Sequence, residues 1–329
     1  MSRWWRPGAA SLLLCLLPLA GAGAGAGIAR YDFSADAMGG TFLVTVYADS
    51  RARAEASTDA AFSELRRLDR MLSHYRPDSP WSEVNRRAAV GPVRVPPELF
   101  EVVAASLDYS RRSGGAFDIT VGPLVRAWGF MDEDGRPAEA GVVREAAARV
   151  GYRHVRLDAA ARTIRFTRAG LELDPGGIGK GYAVDRMAMV LRAHGIGRAL
   201  ISAAGSSLLA MGSPPGLDGW AVTIGGHTMA VPEGRLALKD ASLSTSGSTT
   251  RFVRRDGAIH GHVIDPRTGQ PAGSRLAAVV APRGIDSEAW TKAVLVNGRE
   301  WSVRHTPPGW RALLCESALP SSCAWIHPG

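Results

Sequence analysis

Several features that would point to particular protein classes are scarce in this chain of 329 residues. It has three cysteines, too few for a disulfide-rich scaffold, and the last two, Cys315 and Cys323, could form one small disulfide or remain free thiols. The apolar run at residues 9–20 is about half of the ~20 residues that a membrane-spanning helix needs. The net charge of +8 is spread along the chain, with no basic block interleaved with aromatic residues. Nucleic-acid binding is therefore not predicted, whereas an anionic cofactor or an anionic membrane face suits a basic surface.

No standard phosphate-binding motif is present either. The stretch LELDPGGIGKGYAVDR begins at residue 171. A Walker-type loop that contains Gly179-Lys180 would require glycine at position 174, where the chain has Asp174. It would also require Ser or Thr at position 181, where the chain has Gly181. The dinucleotide fingerprint G-x-G-x-x-G is also absent, because Gly177, Gly179 and Gly181 follow at intervals of two residues, whereas the motif needs an interval of two and then one of three. This stretch is glycine-rich for another reason, although Lys180 within it is a point charge suited to phosphate.

Zinc and serine-hydrolase patterns are missing as well. His260 and His262 form an H-x-H pair with no matching third ligand nearby. The serines after position 243 lack the G-x-S-x-G context of a hydrolase nucleophile. Five segments are richer in polar residues and glycine than packing requires, and the chemistry has to be sought there: MGGTF from residue 38, LSHYRPDSPWSEVN from 72, SGGAFDITVGPLVRAWGF from 113, the stretch from 171, and STSGSTTRFVRRDGAIHGHVIDPRTGQPA from 244.

Residues 1–27 have the pattern of a secretory signal peptide. Two arginines precede an apolar run, which is followed by alternating alanine and glycine. We predict cleavage near residues 22–27 and an exported, periplasmic protein. Cys15 leaves a lipid anchor to the membrane as the alternative, but Leu14 stands where a lipoprotein signal normally has a small residue.

Helix and strand signals are mixed along the rest of the chain without a regular βαβ rhythm. Helices are predicted at residues 52–72, 97–113, 181–195 and near 286–297. A strand is predicted at residues 41–48, and residues 153–174 are predicted to form a hairpin followed by a third strand. Further strands are predicted at residues 198–205, 220–224, 235–246, 251–257, 259–266, 276–282 and 292–298. The last of these ranges overlaps the fourth predicted helix. Residues 73–86 are predicted to form a polar loop broken by proline. The pattern predicts one α+β domain over residues 28–329.

Six segments taken together resemble the ApbE family of FAD:protein FMN transferases. They are MGGTF, SHYRPDSPWSEVN, GGAFDITVGPLVRAWGF, LDPGGIGKGYAVDR, LSTSGSTTRF and GHVIDPRTGQP, in the family's order over residues 37–298. The resemblance implies a single α+β domain with a mixed sheet, of the ApbE (T-fold-like) architecture. It also implies an exported transferase that binds FAD. With a divalent metal such as Mg²⁺, such an enzyme moves FMN onto a Thr or Ser of an exported or membrane acceptor protein and releases AMP.

The resemblance implies roles for individual residues. The residues expected around the flavin and the nucleotide are Met38, Tyr75, Ala116, Phe117, Asp118, Val263 and Ile264. The expected catalytic residues are Asp174, Lys180, His262 and Lys292, of which the first two also contact the adenosine-diphosphate end of FAD. The expected metal ligands are the carbonyl of Gly177 together with Glu288 and Thr291.

The chain departs from the family pattern in two places. Relatives usually have an Asp and a Thr, four apart, in the metal site, where this chain has Glu288 and Lys292. Glutamate can still bind a hard cation, but an ammonium group has no lone pair and repels one. Asp286 and Thr291 could substitute through a register shift, or Lys292 could neutralise the diphosphate in place of the metal. The second departure is Ser206, where many relatives have aspartate.

These departures leave two alternatives to a transferase open. One is a non-catalytic FAD-binding protein of the same fold. The other is an FAD pyrophosphatase that releases FMN and AMP to water. Modification of the chain's own Ser246 is not predicted, because Leu243 stands three residues before it, where the acceptor pattern has Asp.

Overall fold

The computed structural model describes residues 27–131, 139–225, 231–247, 252–255, 258–274, 276–317 and 319–326. The strands are β1 (Ala29–Ala37), β2 (Gly40–Ala48), β3 (Val93–Arg94), β4 (Val155–Asp158), β5 (Thr163–Phe166), β6 (Ala199–Ala203), β7 (Ser207–Met211), β8 (Trp220–Thr223), β9 (Arg235–Leu238), β10 (Ala241–Gly247), β11 (Phe252–Arg255), β12 (Ala258–Gly261), β13 (Leu276–Ala281), β14 (Arg311–Cys315) and β15 (Cys323–Ile326). The α-helices are α1 (Arg51–Leu72), α2 (Pro80–Arg87), α3 (Pro97–Arg112), α4 (Gly122–Ala127), α5 (Ala140–Ala147), α6 (Gly179–Ala193) and α7 (Gly284–His305). Short 3-10 turns lie at Tyr152–His154, Pro175–Gly177 and Pro320–Ser322.

Eight strands form one large sheet in the order β1-β2-β6-β7-β10-β13-β14-β15. Each neighbouring pair in it is antiparallel, so the sheet differs from the mixed sheet that we expected. Short turns join three of the seven pairs, β1–β2, β6–β7 and β14–β15, and such turns can join only antiparallel neighbours. The other four pairs are joined by longer connections that contain helices or other strands. The α+β class is confirmed, since the helices form a layer against an antiparallel sheet instead of alternating with parallel strands.

The helices cover one face of the large sheet, and the β8–β9 hairpin covers part of the other. The helix-covered face buries Phe42, Ile201 and Val279 against α1, α6 and α7. The opposite face buries Leu208 and Leu243 against the hairpin. Since both faces are covered, β6 and β7 are buried at every position, which explains their continuous apolar sequences.

Most of the predicted elements are confirmed. The predicted helices at 52–72, 97–113 and 181–195 correspond to α1, α3 and α6, and α1 begins where the Ser50 hydroxyl accepts the Arg53 amide at 3.4 Å. The predicted strands correspond to β2, β4 to β6 and β8 to β13.

The loop predicted at residues 73–86 was wrong in its second half, which forms α2. The Ser79 hydroxyl accepts the Ser82 amide at 3.0 Å and caps the helix, and Pro80 is its first residue. Proline is well suited to the first turn of a helix, because the amide that it lacks has no partner there. Pro80 therefore marks the start of a helix and not a break in the chain.

Two predicted strands were also wrong. The residues before Asp174 form only an isolated parallel bridge, between Val121 and Glu172. Residues 292–298 belong to α7, where Val294 and Leu295 are buried. A short apolar run suits a buried helix as well as a strand, so periodicity alone does not separate them. The helical path of α7 is interrupted at Gly298, whose φ of 76° favours glycine.

Cys315 and Cys323 lie opposite each other on β14 and β15 and form a disulfide. Among the residues that the structure describes, no helix combines the length and apolar character needed to cross a membrane. Cys15 and nearly all of the proposed signal peptide lie outside the described residues. The assignment of residues 1–27 to a signal peptide and of 28–329 to one domain therefore stays a prediction.

Candidate active site

Asp174 shapes the segment that leads into α6. Its backbone amide donates to the Ile119 carbonyl at 2.8 Å, and its side chain accepts the Gly176 amide at 2.6 Å. This bond starts the tight turn Pro175–Gly177, after which α6 begins at Gly179. Asp174 is buried and orients a helix N-terminus, where backbone amides and the helix dipole favour an anion.

Gly181 is required by helix packing rather than by a ligand. A Cβ there would lie 2.1 Å from the Gly284 carbonyl oxygen and 2.9 Å from the Glu288 side chain. A Cβ at Gly284 would lie 2.4 Å from the Gly181 carbonyl oxygen. The two glycines therefore allow α6 and α7 to cross with their backbones in contact, which explains one of the glycines in this segment.

Three charged side chains meet beside Gly177. Glu288 is 1% exposed, and one of its carboxylate oxygens accepts a backbone amide from the first turn of α6. The other oxygen lies 3.8 Å from Lys180 Nζ and 3.7 Å from Lys292 Nζ. A Cβ at Gly177 would lie 3.9 Å from the Lys292 side chain. The structure thus brings Gly177 and the three charged candidates together, and the charges sum to one net positive charge.

The pKa of Lys292 is lowered to about 8. Burial is the largest cause, because it disfavours the charged form, and the ammonium of Lys180 also lowers the pKa. The carboxylate of Glu288 acts in the opposite direction. An anion bound beside both ammonium groups would raise this pKa and keep Lys292 charged.

The remaining side chains considered as metal ligands have other partners. Thr291 Oγ1 lies 2.8 Å from Ser246 Oγ on β10 and donates to the Glu288 carbonyl at 2.8 Å. Asp286 accepts the hydroxyl of Tyr109 and forms an ion pair at 2.6 Å with the arginine three residues before it. Helix α7 therefore presents Glu288 to the lysines while Thr291 faces the sheet and Asp286 faces α3.

These contacts do not fit a divalent cation. Mg²⁺ requires near-octahedral oxygen ligands. A cation bound to the Glu288 oxygen would lie within about 6 Å of each ammonium if the lysines kept their positions, and each such contact costs roughly 5 kcal/mol or more at an effective dielectric constant of 20. The described parts of the chain also contain no group of three or more His, Cys, Asp or Glu side chains that could hold a metal ion.

The loop after α3 places a buried aromatic ring against the start of α6. The ring of Phe117 lies edge-on to Tyr109, with 6.1 Å between centroids. A Cβ at Gly177 would lie 3.0 Å from the Phe117 ring, so the absence of a side chain there lets the ring approach. Ala116 is buried beside it in the chain. Phe117 and the lysine cluster therefore share Gly177 as a common neighbour.

Asp118 holds the same loop in shape. Its Oδ1 accepts the amide of Thr120 at 2.8 Å and the hydroxyl of Thr120 at 2.7 Å, and its Oδ2 accepts the Tyr152 amide at 2.8 Å. Burial raises the pKa of Asp118, and these hydrogen bonds oppose the rise. In the structure Asp118 forms the loop, and its role in nucleotide binding stays a prediction.

The predicted flavin-side segment after β12 has its apolar side chains turned inward. Val263 belongs to the main core, and Ile264 packs in a separate cluster with Trp128 and Phe130. A ligand would therefore meet the backbone of these two residues rather than their side chains. His262 is half-buried, with its ring edge-on to Phe130 at 6.4 Å.

Arg267 ties this segment to the rest of the site. Two of its nitrogens are held by Asp265 at 2.9 Å, and a third donates to Asn297 Oδ1 at 2.8 Å. Asn297 in turn donates to the Ser113 carbonyl at 3.1 Å. A Cβ at Gly115 would lie 3.8 Å from the Arg267 stem. The loop after α3, the loop after β12 and helix α7 are thus joined by one hydrogen-bonded arginine.

Met38 and Tyr75 lie in turns and loops. Met38 and Gly39 form the two-residue turn between β1 and β2, with φ values of 49° and 73°. The Met38 amide donates to Asp69 Oδ1 at 3.1 Å. Tyr75 is 64% exposed, with its ring centroid 4.0 Å from that of His74. This leaves the Tyr75 ring accessible for stacking on a planar ligand.

Two residues position the site through long-range contacts that the sequence did not predict. Asn85 on α2 exchanges two hydrogen bonds with the backbone of Leu173, at 3.0 and 2.8 Å, and holds the segment before the α6 turn. Asp185 on α6 accepts the amides of Gly284 and Ile285 at 2.6 and 2.9 Å and caps α7. Both contacts join residues more than 80 apart, so no local pattern indicates them.

The fold and site suit a protein that binds a phosphate-bearing ligand at the start of α6. The chain belongs to the ApbE family, whose family model matches residues 38–310. A FAD:protein FMN transferase of Treponema pallidum is 31% identical over 319 residues, covering 91% of this chain and 87% of that protein. A FAD:protein FMN transferase of Klebsiella pneumoniae is 32% identical over 272 residues, covering 80% of this chain and 77% of that protein.

Solved structures support the same assignment. The crystal structure of an ApbE protein of Thermotoga maritima superposes with a TM-score of 0.79 at 25% identity, covering 87% of this chain and 94% of that one. The apo flavinyl transferase ApbE of Pseudomonas stutzeri gives 0.78 at 26% identity, covering 92% of this chain and 96% of that one. The family resemblance and the single α+β domain are therefore confirmed.

Proposed function

We propose that this chain transfers FMN from FAD to a Ser or Thr hydroxyl of an acceptor protein and releases AMP. The observation that carries the proposal is the convergence of Lys180 and Lys292 on Glu288 at the start of α6, beside Gly177 and Phe117. A dinucleotide offers a diphosphate to these two point charges. Membership of a family whose curated relatives are named for this reaction supports the choice of FAD.

In the proposed step, the acceptor hydroxyl oxygen attacks the phosphorus of the FMN half in line. A new P–O bond forms to the acceptor, the bridging P–O bond breaks, and AMP leaves with its electron pair. The hydroxyl proton passes to solvent or to His262, the proposed base. Lys180 and Lys292 stabilise the negative charge that develops on the departing phosphate, and positioning of the two reactants lowers the barrier further.

The expected Mg²⁺ enters no step of this proposal, because the contacts of Glu288 and Thr291 do not fit a divalent cation. The other expected contacts remain part of it. The proposed nucleotide contacts are Ala116, Phe117, Asp118 and Asp174, and the proposed flavin contacts are Met38, Tyr75 and the backbone of Val263 and Ile264.

The test is the intact mass of a flavin-acceptor domain after incubation with this protein and FAD, with AMP measured in the same mixture. We expect a mass gain equal to one FMN moiety and an equal amount of AMP. The Lys180→Met variant should lose most of this activity, whereas Lys239→Met, at an exposed lysine directly after β9, should retain it.

Two outcomes would select the alternatives. AMP and free FMN without modification of the acceptor would indicate an FAD pyrophosphatase. Bound FAD with neither product, in the presence or absence of divalent metals, would indicate a non-catalytic flavin-binding protein.

The acceptor in this proposal is an exported or membrane protein. The support is the signal-like pattern of residues 1–27. Expression of the full chain in a bacterium should yield periplasmic protein whose N-terminus lies near residues 22–27. A cytoplasmic protein that keeps residues 1–20 would contradict this localisation, and a lipidated Cys15 would indicate the anchored alternative.

A further inference from the structure

Lysine is rare in this chain, which has three lysines and thirty-six arginines. Two of the three, Lys180 and Lys292, lie beside Glu288, whereas Lys239 is exposed on the surface. Elsewhere in the described residues the ion pairs are formed by arginine. The lysine pair therefore marks a place where the chain uses compact point charges instead of planar guanidinium groups.

The geometry of the pair favours a further, anionic partner. The ammonium nitrogens lie 3.7 and 3.8 Å from the Glu288 oxygen, beyond the usual length of a direct hydrogen bond. Each ammonium carries three donors, which the carboxylate at this distance does not occupy. The Lys180 side chain is 27% exposed and that of Lys292 is 16% exposed, so neither is fully sealed from solvent.

The charge balance favours the same partner. Two ammonium groups and one carboxylate leave one net positive charge, and the N-terminus of α6 adds partial positive charge. The Glu288 carboxylate is held in place by the backbone amide of Gly181, which donates to its second oxygen where α6 and α7 cross closely. The carboxylate therefore acts as a rigid support that holds two like charges near each other.

From this arrangement we infer that Lys180 and Lys292 take the place of a divalent cation at the diphosphate, so that dinucleotide binding and FMN transfer by this chain need no metal ion. The inference rests on the proposed function for the nature of the ligand. Two ammonium groups carry the same charge as one divalent ion and donate directly to phosphate oxygens. A cation in the same place would have to displace at least one lysine from Glu288.

The first test is the binding of ADP to the full chain, measured by isothermal titration calorimetry in EDTA and in Mg²⁺. ADP supplies the diphosphate without the reaction. We expect dissociation constants within about twofold of each other in the two buffers. Lys292→Met should weaken binding by about tenfold or more in EDTA, the loss of one charge-assisted contact, while Lys239→Met should bind as the unmodified chain does.

Two results would overturn the inference: loss of ADP binding in EDTA by the unmodified chain, or unchanged binding by Lys292→Met. If Lys292→Met does not fold, as judged by circular dichroism, the more exposed Lys180→Met provides the same comparison. Lys292→Thr should convert the site, so that its ADP affinity rises at least severalfold when Mg²⁺ is added. The inference would be contradicted if Lys292→Thr bound ADP in EDTA as tightly as the unmodified chain and if Mg²⁺ did not change that affinity.

The transfer reaction separates this inference from the proposed function. An FMN mass gain on the acceptor in EDTA supports both. A gain that appears only with Mg²⁺ overturns the inference and the metal-free form of the step, but leaves the proposed transfer of FMN to the acceptor intact. No gain in either buffer rejects the proposed function, and calorimetry with ADP then decides the role of the lysine pair by itself.

Discussion

At the scale of single residues, the buried and half-buried carboxylates around the site act mainly on the backbone. Asp118, Asp174, Asp185 and Glu288 each accept at least one backbone amide. Buried carboxylates need such donors, because an unpaired charge inside a protein is costly. Residues that we assigned to a ligand from the sequence therefore also build the loops and helix ends that would surround it.

Asp118→Ala should destabilise the protein by about 2–4 kcal/mol, because it leaves the donors of Thr120 and Tyr152 without their acceptor in a buried position. Urea unfolding followed by circular dichroism measures this change in the free energy of unfolding. Asp108→Ala, at a residue with a half-exposed side chain paired with Arg111, is the matched control and should cost less than about 1 kcal/mol. Equal losses in the two variants would contradict the prediction.

Asp185 should make stability fall as pH rises from about 4 to 6. Burial raises its pKa to about 6, and the amides of Ile285 and Gly284 only partly oppose the rise. In this window the folded chain holds a proton that the unfolded chain has lost, so this group's contribution to stability is present below pH 4 and is lost as pH rises through 6. The effect is roughly 2 kcal/mol, allowing for partial exposure.

The comparison that checks this prediction is thermal unfolding of the unmodified chain and of Asp185→Asn from pH 4 to 7. As pH rises, the unmodified chain should steadily lose stability relative to the Asp185→Asn variant. A constant difference over the whole range would show that Asp185 keeps an ordinary pKa in the folded protein.

At the scale of secondary-structure elements, the crossing of α6 and α7 determines the site, because it places Lys180 next to Glu288. Helices usually pack with their axes 8–10 Å apart, separated by side chains. Here Gly181 and Gly284 replace those side chains with backbone contact. The spacing of apolar residues in α6 predicted that this helix exists. The same spacing does not show that α7 is its partner or how closely the two backbones approach.

Gly181→Ala should destabilise the protein by about 3 kcal/mol or more, because its Cβ would overlap the Gly284 carbonyl oxygen. Gly179→Ala is the control in the same helix. Its Cβ would lie 3.7 Å from Pro175, an ordinary contact, so this variant should be neutral or slightly stabilising. Chemical denaturation of both variants checks the prediction, and an equally tolerated Gly181→Ala would show that the helices can separate without cost.

At the scale of the whole molecule, the large sheet ends in a cross-linked hairpin. Cys315 on β14 and Cys323 on β15 are paired across the last two strands, eight positions apart in sequence. The bond closes a short loop, so its main effect is to restrict the unfolded chain. This edge strand has a neighbour on one side only, and the cross-link protects it from fraying.

Replacing both cysteines by serine should lower the free energy of unfolding by about 2.5 kcal/mol, from the entropy of closing this short loop. Thermal unfolding with and without dithiothreitol is the measurement. The reduced wild type should match the Cys315→Ser, Cys323→Ser double variant, and dithiothreitol should leave the variant unchanged. Full stability of the reduced wild type would show that packing alone holds β15.

By itself, the sequence determined the α+β class, most helices and strands, and the family, because these depend on local periodicity and on motifs that stay together along the chain. It also identified Lys180, Glu288 and Lys292 as the residues of interest. Only the tertiary structure decided how they are used. Glu288 reaches α6 across 107 residues, and Thr291, one position from Lys292, faces the sheet instead. The direction in which a helix presents each side chain is decided by the elements packed around it, and no local pattern in the sequence carries that information.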